Sequence, residues 1–101
     1  MRIVFSAHAI NDLNEINEYI SDVLRNPKSA KLIIEKILKS ISLLEMNPKL
    51  GMSLSNNINR ETNIRYLISG KYIIFYKIRD SIEIVRVLDA RRDYMREIFT
   101  E

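Results

Sequence analysis

The sequence predicts an α+β domain: a strand, an antiparallel helical hairpin, a three-stranded antiparallel meander and a short C-terminal tail or helix, in the order β-α-α-β-β-β. Three observations predict it. Two apolar stripes at three- and four-residue spacing are separated by Asn26-Pro27, the pattern of two helices joined by a short link. From about residue 63 the apolar period drops towards two, as in strands. Two turn signals, Ser69-Gly70 and Arg79-Asp80-Ser81, divide that region into three strands.

The elements follow in order. Arg2 to Phe5 is rich in β-branched and aromatic residues and reads as a strand. Ser6 supplies a hydroxyl to cap a helix that starts near Ala7. Ile10, Leu13, Ile16, Ile20 and Val23 form its apolar stripe, with Asp12, Glu15, Glu18 and Asp22 lying off it as an acidic side. Asn26-Pro27 ends this helix, because the residue before proline avoids the helical region, and Pro27 suits the first turn of the next. The second stripe is Ala30, Ile33, Ile34, Ile37, Leu38, Ile41 and Leu44; Lys28, Lys31, Lys36 and Lys39 make its flank basic. The acidic and basic helices are expected to pair their charges across the hairpin.

Asn47-Pro48 stops the second helix, and Lys49 to Asn63, rich in Ser, Asn and Gly, reads as a long loop. In the middle strand Tyr72, Ile74, Tyr76 and Ile78 share one face and Ile73, Phe75 and Lys77 the other. One face should receive the helices and the other should be partly covered. Asp89 to Glu101 is a charged tail in which Tyr94, Ile98 and Phe99 allow one or two amphipathic turns.

Composition narrows the chemistry. The 101 residues fit one domain spanning 1–101. Lys plus Arg number 16 against 13 Asp plus Glu, a net charge of +3, which permits an anionic partner without demanding one. With no Cys and one His, disulfides, thiol nucleophiles and a His-based metal cluster are excluded, and no metal or cofactor is expected. With glycine only at 51 and 70, neither the phosphate-binding loop nor the dinucleotide fingerprint can form. His8 reads as a surface histidine near a helix start. No apolar run approaches the roughly 18 residues of a membrane span, and the amino end lacks a signal-peptide pattern, so a cytoplasmic protein without a membrane partner is expected.

The densest unusual cluster is Asp89-Ala90-Arg91-Arg92-Asp93-Tyr94, directly after the last strand. Two adjacent guanidinium forks can clamp phosphate. Arg65, Lys71 and Arg86 stand on or beside neighbouring strands. Arg86 breaks the alternation Ile82-Ile84-Arg86-Leu88, which leaves two readings: an internal ion pair with Asp89 or Glu83, or a binding role. Tyr66, Tyr72, Tyr76 and Tyr94 can stack on single-stranded nucleic acid or simply pack in a half-buried sheet. The expected site is a cationic pocket around the last strand.

The order of several segments carries a resemblance. They are Phe5-Ser6-x-x-Ala9 with Asp12-Leu13 and Tyr19-Ile20; Asn47-Pro48-x-x-Gly51; Arg65-Tyr66-Leu67 before Gly70-Lys71-Tyr72-Ile73-Ile74-Phe75-Tyr76; and Val87-Leu88-Asp89-Ala90-Arg91-Arg92-Asp93. Over nearly the whole chain they resemble the RelE/ParE superfamily of toxins from type II toxin–antitoxin systems, nearer the ParE side. The resemblance implies a growth inhibitor neutralised by a cognate antitoxin, and a possible higher-order toxin–antitoxin complex. ParE-like members inhibit DNA gyrase without being thought nucleases. RelE-like members are metal-independent endoribonucleases that cut mRNA on the ribosome. In the RelE-like case Arg65, Arg91 and Tyr94 would be catalytic; in either case Arg65, Lys71, Arg86, Arg91 and Arg92 would contact target or nucleic acid. Many relatives carry histidine where this chain has Asp89, and an ionised aspartate is a poor general acid. That departure, with the Arg65-x-Leu67 and Val87-Leu88-x-x-Arg91-Arg92-Asp93 patterns, favours gyrase inhibition. A third reading keeps antitoxin binding without toxicity. No DNA-reading motif is present.

Overall fold

The structure is a computed structural model that describes residues 1–56, 58 and 60–99. A five-stranded mixed sheet carries the helical hairpin on one face, as the α+β expectation required. Strand β1 is Ile3–Phe5, helix α1 Ala7–Glu18 and helix α2 Pro27–Ser42. Then follow β2 (Met52–Ser53), β3 (Arg65–Ser69), β4 (Tyr72–Ile78), β5 (Ile82–Asp89) and a short helix α3 (Tyr94–Phe99). The strand order is β1-β5-β4-β3-β2, with β1 parallel to β5 at one edge and the other pairs antiparallel.

Local chemistry sets the boundaries. The Ser6 hydroxyl accepts the Ala9 N–H at 3.0 Å to cap α1 and donates to the Val85 carbonyl at 2.8 Å, tying the helix start to β5. After Glu18 the helix widens into a π turn over Tyr19–Val23, with Leu24 N–H on the Tyr19 carbonyl. It closes with Arg25 at φ 53° and Asn26 N–H on the Ile20 carbonyl six residues back, a left-handed C-cap built on a non-glycine residue and one residue wider than the usual one. Asn26 then caps α2 by accepting the Ser29 N–H. Gly70, at φ 60°, is the first residue of the two-residue turn between Ser69 and Tyr72, where a II′ hairpin requires glycine.

Two cores result. Ala9, Ile37, Ile41 and Leu44 meet Tyr72, Ile74, Tyr76, Ile82, Ile84 and Val87 beneath the hairpin. Leu54, Ile64, Phe75 and Leu88 form a smaller core on the opposite face, flanked by Tyr94, Ile98 and Phe99 of α3. The division of β4 into two faces is the one its alternation predicts.

Several expectations are corrected. Ile10 is 51% and Val23 66% exposed, so neither belongs to the α1 stripe; the wide π turn shifts the phase beyond Glu18. Leu38 is also exposed. Asp12, read as part of an acidic outer side, is buried. Among the described residues no ion pair links α1 to α2. The expected long loop contributes β2, a single 3₁₀ turn over Leu54–Asn56, and the core residue Leu54. Asn57 and Asn59 of that loop, and Thr100 and Glu101 of the tail, lie outside the described residues. The first strand begins at Ile3 rather than Arg2.

Candidate functional site

The register of β5 decides where the arginines go. Tyr76 pairs with Ile84 and Phe75 with Arg86, so Val85 is the extra residue of a bulge. The bulge turns Val87, rather than Arg86, onto the hairpin face, where it joins Ile82 and Ile84 in the main core. Arg86 therefore leaves the hairpin face and shares the opposite one with Leu88, across from Phe75.

Beyond Ile84 the β5 edge is no longer covered by β1, and Asp12 fills the gap. Its Oδ2 accepts the Val87 N–H at 2.9 Å and Arg86 Nε at 2.8 Å, while Oδ1 accepts Arg86 Nη2 at 2.8 Å. The bidentate pair is nearly sealed, with side chains 14% and 3% exposed for Arg86 and Asp12. Arg86 Nη1 also reaches Glu97 of α3 at 3.3 Å. The hydrogen bonds to Asp12 raise the guanidinium above its already high ordinary pKa. The internal ion pair was thus one of the two readings for Arg86, but its partners are Asp12 and Glu97, not Asp89 or Glu83.

Arg65 is engaged elsewhere. Its Nη2 donates to the carbonyls of Lys49 at 3.2 Å and Gly51 at 2.5 Å. Beside it the Tyr76 hydroxyl accepts the Gly51 N–H at 2.9 Å and donates to the Pro48 carbonyl at 2.8 Å. Arg65 and Tyr76 are register partners on β3 and β4, and together they hold the Pro48–Gly51 turn. Gly51 is required there: a Cβ would collide with the Tyr66 carbonyl and stand 2.7 Å from the Tyr76 hydroxyl oxygen.

The other end of the sheet is the open site. Lys71, Arg91 and Arg92 line a pocket of about 160 Å³ with Asp12, Glu15, Ile16, Tyr19, Tyr72, Val87 and Asp89. Arg91 grips Asp89 through Nε at 3.1 Å, Nη2 at 2.9 Å and its own backbone N–H at 2.9 Å. This holds the Asp89 carboxyl down to about 2. The Arg91 side chain is nevertheless 79% exposed. Arg92 donates to Glu97 at 2.6 Å. Burial, then the Asp89 charge, push the Tyr72 hydroxyl above its ordinary pKa. The pocket is of mixed charge, not simply cationic, and only three of the expected cations share it.

Arg65 and Tyr94 stand apart from it. Arg65 is level with Tyr76, four residues along β4 from Tyr72, which is about 13 Å at strand rise. Tyr94 packs its ring on Phe75, centroids 5.4 Å apart, over the second core. It lines an apolar groove of about 270 Å³ with Leu54, Tyr66, Ile68, Ile73 and Phe75. Arg65, Arg91 and Tyr94 therefore do not converge on one point. Among the described residues no group of three or more His, Asp or Glu side chains is placed to hold a metal ion, and no helix is long and apolar enough to cross a membrane.

Comparison with known proteins fits this architecture. The sequence profile described as ParE toxin of type II toxin-antitoxin system, parDE, matches residues 3–94. The chain belongs to the ParE toxin family. Its fold is similar to that of a chain in the chromosomal ParDE TA system from P. aeruginosa, with a TM-score of 0.74 at 18% identity over 88% of this chain and 95% of that one. No curated protein matches the sequence. The toxin thus falls on the ParE side of the superfamily, where its strand patterns pointed. Asp12 is the site residue that sequence reasoning missed. Its signal was an acid one step from the apolar stripe, facing a strand whose Arg86 lacked a partner.

Proposed function

We propose that this ParE-family toxin is a non-enzymatic inhibitor of DNA gyrase, acting in the cytoplasm and held inactive by a cognate antitoxin. One observation carries the choice over mRNA cleavage: the three residues a RelE-like reaction would need are dispersed. Arg65 is spent on the carbonyls of Lys49 and Gly51, Arg91 is paired with Asp89, and the Tyr94 ring packs on Phe75. Phosphoryl transfer needs its donors and proton acceptors within hydrogen-bond reach of one reacting centre. Binding does not. Lys71, Arg91 and Arg92 offer an exposed charged corner to an acidic surface. The antitoxin is assigned to the open sheet face, where Ile68 is exposed beside the Tyr66–Phe75–Tyr94 groove.

The test is a supercoiling assay with purified gyrase and refolded toxin. Inhibition is expected, weakened in Arg91→Ala and Lys71→Ala without loss of fold. Unchanged supercoiling at saturating toxin refutes the reading. Toeprinting of ribosome-bound message is expected to show it intact; cleavage lost in Arg91→Ala would instead establish the nuclease.

A further inference from the structure

Every acid in the pocket at the end of the sheet already has a donor. Asp12 takes Arg86 and the Val87 N–H, Glu15 takes the Asn11 amide at 3.0 Å, and Asp89 takes Arg91. Two donors beside them have no acceptor. Among the described residues no hydrogen bond or ion pair reaches the Lys71 ammonium or the Tyr72 hydroxyl. An exposed lysine of this kind is ordinary. The tyrosine is not: Tyr72 is 6% exposed, and the hydroxyl of a buried tyrosine usually finds a partner. Nor is that hydroxyl sealed in protein, since among the described residues the one sealed side-chain N or O atom without a partner is Arg65 Nε. It opens on the pocket, close enough to Asp89 and Arg91 to feel their charges. Tyr72 and Asp89 are register partners at the ends of β4 and β5, so both side chains rise on the same face, towards α1. Burial, then the Asp89 charge, keep the hydroxyl protonated, and it remains a donor.

What the pocket lacks is therefore an acceptor, an oxyanion from outside. Its size and charge select a carboxylate. Nε and Nη2 of Arg91 grip Asp89 side by side at 3.1 and 2.9 Å, a fork already set for a carboxylate. Glu15 and Asp89 repel a doubly charged phosphate more strongly than a single carboxylate. About 160 Å³, with Ile16 and Val87 in the wall, takes one acidic side chain and its methylene stem, and is too small for a nucleotide. Asp89 is the internal stand-in for that group, with its side chain 25% exposed and water beside it to receive it.

We propose that this pocket takes the side-chain carboxylate of a glutamate or aspartate presented by the toxin's target, Arg91 exchanging Asp89 for it while Tyr72 and Lys71 donate to it as well. The identity of the carrier rests on the gyrase reading; the pocket does not. The experiment has two arms, both on the full chain. In the first, amide chemical shifts are followed by NMR as N-acetyl-glutamate methylamide is added, with the glutamine analogue and inorganic phosphate compared at equal ionic strength. Saturable shifts at Lys71, Tyr72 and Arg91 are expected with the glutamate compound alone. Asp89→Asn should bind it about two- to fivefold more tightly, since an exposed ion pair no longer competes. Tyr72→Phe should bind it about tenfold more weakly, the loss of one hydrogen bond to a charged group. Its urea midpoint should be unchanged, because the hydroxyl bonds to nothing in the chain. In the second arm both variants enter the supercoiling assay, where the same order of potency is expected. No saturable shift, equal shifts with the glutamine compound or phosphate, or weaker binding by Asp89→Asn overturns the pocket. Gyrase inhibition that neither variant changes also overturns the proposal, because the target is then met elsewhere. A chain that binds the glutamate compound yet leaves gyrase unaffected upholds the pocket and refutes the gyrase reading.

Discussion

Replacing Asp12 by alanine tests the structural logic most directly. Its carboxylate accepts three hydrogen bonds, two from Arg86 and one from the Val87 N–H, with the side chain 3% exposed. Summing three charge-assisted bonds at about 1.5–3 kcal/mol each would overcount, since they share one group and are not additive. The better measure is the cost of leaving a buried charge without its partner, about 3–5 kcal/mol. Against a total stability of about 5–15 kcal/mol, that is a large part of the fold. With an m-value of about 1.5 kcal/mol/M, the urea midpoint at neutral pH should fall by about 2–3 M. Asp12→Asn, which keeps an acceptor but turns an amide N–H towards the fork, should lose an intermediate amount. Asp12→Leu/Arg86→Met removes both charges and should recover about half of the loss, leaving the bare Val87 N–H at about 1–3 kcal/mol. A loss below about 1 kcal/mol in Asp12→Ala would refute the reasoning, because it would mean Arg86 finds water or Glu97 at no cost.

Three further outcomes are expected. Tyr76→Phe strands the Gly51 N–H and the Pro48 carbonyl and should cost about 1–3 kcal/mol by urea denaturation. Gly51→Ala forces a methyl group into the Tyr66 carbonyl and the Tyr76 ring; an overpacking cost of about 1–3 kcal/mol should appear in the same assay. Asp89, with its carboxyl held at about 2, contributes stability that is complete above its ordinary value of 3.8 and lost as pH falls through 2. Acid titration of the wild type against Asp89→Asn should therefore show curves that stay apart at neutral pH and converge only between about pH 4 and 2.

What was legible in the sequence was whatever depends on period and punctuation. The two helices, the cap at Ser6, the break at Asn26-Pro27, the split faces of β4 and the turn at Gly70 follow from local rules, and each is found where those rules place it. What was hidden depends on register between distant segments. The pairing of β1 with β5 sets no local pattern, because three residues of any apolar strand could sit at that edge. The bulge at Val85 changes which β5 side chains face the helices, and one inserted residue leaves no mark in an alternation already broken by Arg86. Ile10 and Val23 kept helical spacing, yet the π turn and the position of α2 left them outside the core.

The same contrast separates scaffold from surface among the arginines. Arg65 and Arg86 lie within strands, where a long side chain must find acceptors close by, and both find them: loop carbonyls for one, Asp12 and Glu97 for the other. Arg91 and Arg92 follow the last strand, where the chain leaves the sheet, and their partners Asp89 and Glu97 are near in sequence and at most part-buried. An exposed pair of this kind contributes little stability but holds a guanidinium in a fixed direction. Exchanging Asp89 for an incoming carboxylate costs little, because Asp89 can return to water, whereas exchanging Asp12 would open the β5 edge. On the proposed reading, binding to the target therefore falls to Lys71, Arg91 and Arg92, and substitutions at Arg65 or Arg86 should reach function only through the fold.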